Sequence, residues 1–183
     1  QQLMRSLQDD IEHVSPAPDA PDAITMKKLK RSIPDLPAFK NGWFQVQDEA
    51  AQIVTLLLNP QTGETILDAC AGLGGKTGHI AQLMKNKGRI IAMDNNKQKL
   101  SVLRSEMMHL GVSIVTTNSH DMNQPFETTR TRMFDRIILD APCSGLGVLR
   151  RNPDAKWMTS KSNFESYQAR QLAFLDTISS LLK

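Results

Sequence analysis

Two short segments carry the residues whose types and spacing could do chemistry. The first is DACAGLGGKT, residues 68–77, where Gly72, Gly74 and Gly75 free the backbone to turn sharply and approach a ligand. Two carboxylates follow at separate places, Asp94 closing RIIAMD and Asp121 in SHDM. The second segment is DAPCSGLGVLRRNPDAKW, residues 140–157. It sets the thiol of Cys143 three residues after Asp140, behind Pro142, and ends among Arg150, Arg151, Lys156 and Trp157.

Three chemistries compete for the glycine segment. It can be a structural turn. It can be a phosphate cradle, since Gly75–Thr77 reads GKT and RIILD resembles a strand ending in a magnesium-binding Asp; that pattern requires glycine where Cys70 stands. Or it can hold a methyl donor that carries adenosine and an amino acid but no phosphate. Such a ligand needs a close backbone approach and a ribose acceptor, the place of Asp94, with Asp121 in reach of an adenine amino group. A dinucleotide site would want G-x-G-x-x-G, which this spacing does not give.

A lone thiol is more often buried and inert, but a cysteine at a strand's carboxyl edge beside a methyl donor has a chemical reason to be there. C5 of cytosine is a poor nucleophile; a thiolate adding to C6 makes the ring an enamine that attacks a methyl sulfonium, and loss of the C5 proton expels the thiol. That chemistry needs an activated thiol and an extruded or single-stranded base. Asp140 is placed to hydrogen-bond the ligand or the base. Arg150, Arg151 and Lys156 can contact phosphates or form a solvated basic loop. Trp157 is expected to pack into the core rather than stack a base.

These residues need a scaffold, and the hydrophobic pattern supplies one. Helices are expected over Asp48–Leu58, Lys76–Met84, Lys97–Leu110 and Ser162–Leu182. Strands are expected at TILDAC (65–70), RIIAMD (89–94), Ser113–Thr117 and RIILDAP (136–142). Alternating apolar strands and helices make a doubly wound α/β domain, whose ligands bind at the carboxyl ends of the strands. Residues 1–40 read differently: a short helix over 1–13, a proline-broken stretch, then a basic and irregular run from Ile24 to Lys40. They are expected to be the remnant of an N-terminal extension or linker, with the core at 41–183.

Composition sets only bounds. The 183 residues are 40% hydrophobic and 22% charged, with a net charge of +3. No apolar run reaches the roughly 18 residues of a membrane helix, so a cytoplasmic protein away from membranes is the expectation. The mildly basic balance permits nucleic-acid binding without arguing for it. Two cysteines and four scattered histidines give no disulfide framework and no metal site. Both ends read as cut.

From GWFQVQDEAAQ (42–52) through DACAGLGGKT to DAPCSGLGVLRRNPDAKW, the sequence resembles the NOL1/NOP2/Sun RNA cytosine-C5 methyltransferases, most closely the bacterial Sun-like branch acting on 16S ribosomal RNA. The resemblance implies a Rossmann-like, class I S-adenosylmethionine-dependent methyltransferase fold, truncated before its later strands. It implies S-adenosyl-L-methionine as cofactor, held by Cys70, Ala71, Gly72, Leu73, Gly74, Gly75 and Lys76 together with Asp94, Asp121 and Asp140. It implies RNA as partner, ribosomal RNA first and transfer RNA second, bound by Arg150, Arg151 and Lys156; a monomer is the expected state. The family places Cys143 and Asp140 in the catalytic centre, Cys143 assisting product release while a later TCS-type cysteine is the covalent nucleophile. No cysteine follows Cys143 here, so these residues are expected to bind the donor without completing the reaction. The sequence departs from the family pattern at AGLGG, where APGG is common, and at SHDM, where a GDGR-like turn is usual.

Overall fold

A computed structural model describes residues 2–126, 133–149, 153–154, 157 and 161–183. Its centre is a parallel sheet. Strand β3 (Thr65–Asp68) lies between β4 (Arg89–Asp94) and β6 (Arg136–Ile138), and β5 (Val115–Ser119) flanks β4, giving the order β5-β4-β3-β6. Asp68 is in register with Ala92 on one side and Ile138 on the other.

Alternation along the strands sorts the core into two layers. Leu67, Ile91 and Met93 face one side and pack with Phe174, Ile178 and Leu181 at the C-terminal end of the chain. Ile66 and Ile90 face the other and pack with Ile80, Ala81 and Met84 of α4 (Gly75–Leu83) and its end. Helix α5 (Lys97–His109) covers Ala92 on that second face through Leu100, Leu103 and Met107. Phe174 and Ile178 belong to α6 (Lys161–Ser179). Strands buried on both faces are therefore apolar at consecutive positions, as parallel strands are.

The chain runs outward from β3 to β4 to β5, then returns across the sheet to β6 on the far side of β3. The crossover direction reverses between β3 and β6. That reversal opens a crevice at the carboxyl ends of the strands, the place where doubly wound folds bind ligands.

The expected fold class is the one found, with several local differences. The fourth strand stops at Ile138 rather than Pro142: its partner β3 ends at Asp68, and the last link is Ala69 N–H donating to the Ile138 carbonyl at 3.0 Å. The third strand begins at Val115, not Ser113, because the Ser113 N–H is taken by the Asn86 side chain at 3.0 Å. The last helix ends at Ser179, after which Leu182 bridges to Phe134 beside the sheet.

The larger correction lies at the start of the chain. Helix α1 (Gln2–Leu7) ends before Ile11, which instead opens β1 (Ile11–Pro16), antiparallel to β2 (Ile24–Leu29). The run expected to be irregular is thus half of a hairpin. Leu7, Ile11, Leu36 and Ala38 are buried in a small core of their own, with Ala38 on the short helix α2 (Pro37–Lys40). Only one shallow face is apolar, and Pro16 at the end of β1 is tolerated because a two-stranded ribbon is all edge. Phe39 ties this module to α5, where its carbonyl meets the His109 ring at 2.7 Å. No helix among the described residues is long and apolar enough to cross a membrane.

Helix α3 (Glu49–Leu58) is joined to the sheet by Arg136, which donates to the Leu58 carbonyl at 2.9 Å and pairs with Glu64 at 2.7 Å. Burial pushes the Glu64 carboxyl up, but the hydrogen bonds from Arg136 and Gln61 and the Arg136 charge outweigh it and hold Glu64 below its usual range. Replacing Arg136 by Ala should cost about 1–3 kcal/mol at neutral pH, measured by urea unfolding. A depressed carboxylate contributes stability above its unfolded value and loses it as pH falls through the folded one. The gap between parent and variant should therefore narrow as pH drops below about 4, leaving the share owed to the Leu58 carbonyl; a gap of constant size into acid would refute the pairing.

Candidate functional site

The crevice at the switch point holds a cavity of about 330 Å³, of the size that takes a small-molecule ligand. Cys70, Gly72, Asp94, Asp121 and Asp140 all line it. Four expected strand ends thus deliver their residues to one place.

The loop between β3 and α4 is fixed by β4. Ala71 N–H donates to the Met93 carbonyl at 2.8 Å, and Gly72 N–H donates to Asp94 Oδ2 at 3.0 Å. The other Asp94 oxygen, Oδ1, accepts from Asn96 N–H at 2.8 Å. Gly72 has φ +56°, and a Cβ there would meet nothing within 4 Å, so its bare backbone borders open space. Gly74 has the opposite reason to be glycine. At φ +92° a Cβ would come to 2.6 Å from Leu103 of α5, which lets α4 start close against its neighbour.

The remaining loop residues have other tasks. Ala71 packs towards α5, Leu73 is exposed, and Gly75 accepts from the Gln45 side chain at 2.9 Å. Lys76 pairs with Asp140 Oδ2 at 2.6 Å, joining the loop to the end of β6. Thr77 donates to buried Asp68 at 2.7 Å. The lysine and the hydroxyl that a phosphate cradle would present are both engaged within the protein.

Electrostatics separate the acidic groups. Asp68 is 1% exposed; burial raises it to about 6, against the Thr77 hydrogen bond and the Lys76 charge. Asp121 is held below its usual range, first by the Asn123 backbone N–H and then by that residue's side chain. Both bonds go to Oδ1, at 3.0 and 2.7 Å, so Asp121 closes its own turn while facing the cavity.

The two thiols differ as sharply. Burial, then the charge of Asp94, pushes Cys70 up to about 12, which keeps it protonated and non-nucleophilic at neutral pH. Cys143 is exposed and follows Pro142, which lines the cavity.

Several lining residues escape a reading of motifs: Lys99 of α5, His120 and Asn123 flanking Asp121, and Arg170 and Phe174 of α6. The last two are four apart on one helix, a spacing that could have paired them. Gln45, which the sequence shows only within GWFQVQDEAAQ, is a clamp on the glycine loop. Trp157, expected in the core, is 81% exposed. The core on the α6 side of the sheet is already filled by Phe174, Ile178 and Leu181, and Trp157 joins none of its clusters. Arg150, Arg151 and Lys156 lie outside the described residues.

The chain matches the family model of the 16S rRNA methyltransferase RsmB/F over residues 55–183. It is 41% identical over 164 residues to a probable ribosomal RNA small subunit methyltransferase B of Bacillus subtilis (strain 168), covering 90% of this chain and 36% of that protein. The ribosomal RNA small subunit methyltransferase B of Escherichia coli O6:K15:H31 is 40% identical over 168 residues, covering 92% of this chain and 38% of its own length. The chain thus spans little more than a third of these relatives. Among solved structures, PH0851 superimposes with a TM-score of 0.92 at 30% identity, over 100% of this chain and 41% of that one. NSun6 from Pyrococcus horikoshii, solved with SFG, gives 0.75 at 32% identity, over 88% and 41%.

The raised Asp68 carboxyl has a measurable consequence. A carboxyl whose folded value lies above its unfolded one binds more protons when folded, so stability falls as pH rises between about 4 and about 6. The shift corresponds to about 3 kcal/mol. Asp68→Asn keeps an acceptor for Thr77 and removes the titration. Denaturant unfolding across that range should show a slope in the parent that the variant lacks; equal slopes would mean Asp68 titrates normally.

Proposed function

We propose, for a chain that belongs to the 16S rRNA methyltransferase RsmB/F family, that this crevice binds S-adenosyl-L-methionine for transfer of its methyl group to C5 of a cytosine in ribosomal RNA. The observation that carries the reading is the state of Asp94. Each of its oxygens accepts one backbone N–H, from Gly72 and Asn96. A carboxylate oxygen has room for a second donor, so Asp94 keeps two acceptor positions side by side, matched to the vicinal hydroxyls of a ribose. The same two N–H bonds fix its orientation before any ligand arrives.

Bound there, the donor supplies an electrophilic methyl group on a sulfonium. The chain's own residues bind, orient and hold charge. Asp94, Asp121 and Asp140 give the cavity three carboxylates suited to a cationic ligand, and Lys99 and Arg170 give it cations for the amino-acid carboxylate. Asp140 has one oxygen committed to Lys76, which leaves Oδ1 for the donor or the base. Cys143, exposed at the rim, is the thiol available to the base, whereas Cys70 is held protonated. Arg150, Arg151 and Lys156 are assigned to RNA phosphates on charge alone.

This chain should bind the donor, and Asp94→Ala should weaken binding by about 100-fold, the loss of two hydrogen bonds to a charged acceptor. Calorimetric titration decides it; unchanged affinity removes the ribose assignment. Incubated with 16S rRNA and labelled donor, the chain should transfer no methyl group. Turnover that Cys143→Ser abolishes would make Cys143 the nucleophile instead.

A further inference from the structure

Two glycines at the start of α4 leave room for neighbours. At Gly74 the room is taken by Leu103 of α5. At Gly78 it is taken by Gln45: a Cβ there would come to 2.7 Å from Oε1 of that side chain and 3.2 Å from its Nε2. The third near atom, Met107 Cε at 3.2 Å, is the end of a flexible side chain. Glycine inside a helix is destabilising relative to alanine, so one that persists there has a packing reason. The reason at Gly78 is the Gln45 amide, whose Nε2 donates to the Gly75 carbonyl at 2.9 Å.

Gln45 is itself anchored in the N-terminal module. Phe44 packs against that module's small core and meets Phe39 edge-on, with ring centroids 5.4 Å apart. Trp43 N–H donates to the Ala38 carbonyl at 3.0 Å, and Gly42 N–H to that of Phe39 at 2.9 Å. The residues just before Gln45 are thus fixed on α2, and Gln45 carries that anchorage to the glycine loop. The loop is then gripped by its backbone at two points. β4 holds Ala71 and Gly72 near its entry, and Gln45 holds Gly75 at its exit. Gly72, between them, borders the crevice and donates to Asp94. A loop released at one point has to be ordered when a ligand arrives, and that cost is subtracted from affinity.

We propose that Gln45 is a positioning residue for the methyl donor: it lies outside the lining of the crevice and sets donor affinity by tying the glycine loop to the N-terminal module. The inference rests on the reading of the crevice as the donor site. It makes the N-terminal module a working part of that site rather than an appendage to it.

Calorimetric titration with S-adenosyl-L-methionine compares the parent chain with Gln45→Ala, Gly78→Ala and the double variant. Each single change should weaken binding about 5-fold, the loss of one hydrogen bond. The double variant should bind no worse than Gln45→Ala, because the added methyl group then enters space the amide has left. Losses that add would mean Gly78 acts by another route and overturn the pairing; unchanged affinity in Gln45→Ala overturns the proposal outright. Amide hydrogen exchange of the donor-free chain separates positioning from general loosening. In Gln45→Ala the Ala71 amide should exchange faster, by about 5-fold or more, while Ile90, whose N–H donates to the Ile114 carbonyl at 2.9 Å within the sheet, keeps its rate. Equal acceleration at both amides would show that Gln45 merely stabilises the fold, and the proposal fails. A parent that binds no donor sinks the donor reading and this inference with it. A parent that binds, beside a Gln45→Ala that binds equally, sinks this one alone.

Discussion

The glycine loop between β3 and α4 has to reverse direction beside a strand buried on both faces, and β4 is what holds it there. Two backbone N–H groups of the loop, those of Ala71 and Gly72, end on Met93 and Asp94. The carboxylate that could grip a ligand is thus also the group that shapes the ligand's cradle. This couples two properties usually considered apart: the loop's geometry depends on where Asp94 points, and Asp94's orientation depends on the loop. Lys76 extends the connection to Asp140, so three strand ends are cross-linked by side chains across the sheet's upper edge.

Burial decides which polar groups remain available. Asp68, sealed beneath the loop, meets its hydrogen-bonding need through Thr77 and carries the cost of burial as a raised carboxyl. Asp94 and Asp140, nearer solvent, keep acceptor positions open. The inner acid holds strand to helix and the outer acids face the cleft. That division follows from depth alone, since all three are the same side chain at the ends of adjacent strands.

Much of this was legible in the sequence because parallel strands buried on both faces write themselves as unbroken apolar runs. RIIAMD is the clearest, and its bounds coincide with those of β4. Asp94, Asp140, Gly72 and Cys70 were readable for the same reason: once the strands are placed, their carboxyl ends are placed too. The hairpin was not, because Lys27, Lys28 and Glu12 decorate strands with a single shallow apolar face. Arg170 and Phe174 could not be assigned to the cleft, since which face of α6 meets it depends on the crossover to β6 and not on local pattern. Trp157 misled because a large aromatic is usually interior, and here the interior was already full. Gln45 stood in the open as part of GWFQVQDEAAQ, but an amide has no readable task until an adjacent backbone, here the Gly75 carbonyl, gives it a partner.

The contrast between the two cysteines reaches beyond methyl transfer. Oxidation, like nucleophilic attack, proceeds through the thiolate and needs access. Burial and the neighbouring Asp94 charge withhold the thiolate from half-buried Cys70, while Cys143 stands exposed next to Pro142 of the cavity lining. Of the two cysteines, oxidation therefore falls on Cys143. The sulfur beneath the glycine loop is preserved, and the scaffold of the crevice outlasts the reactivity at its edge.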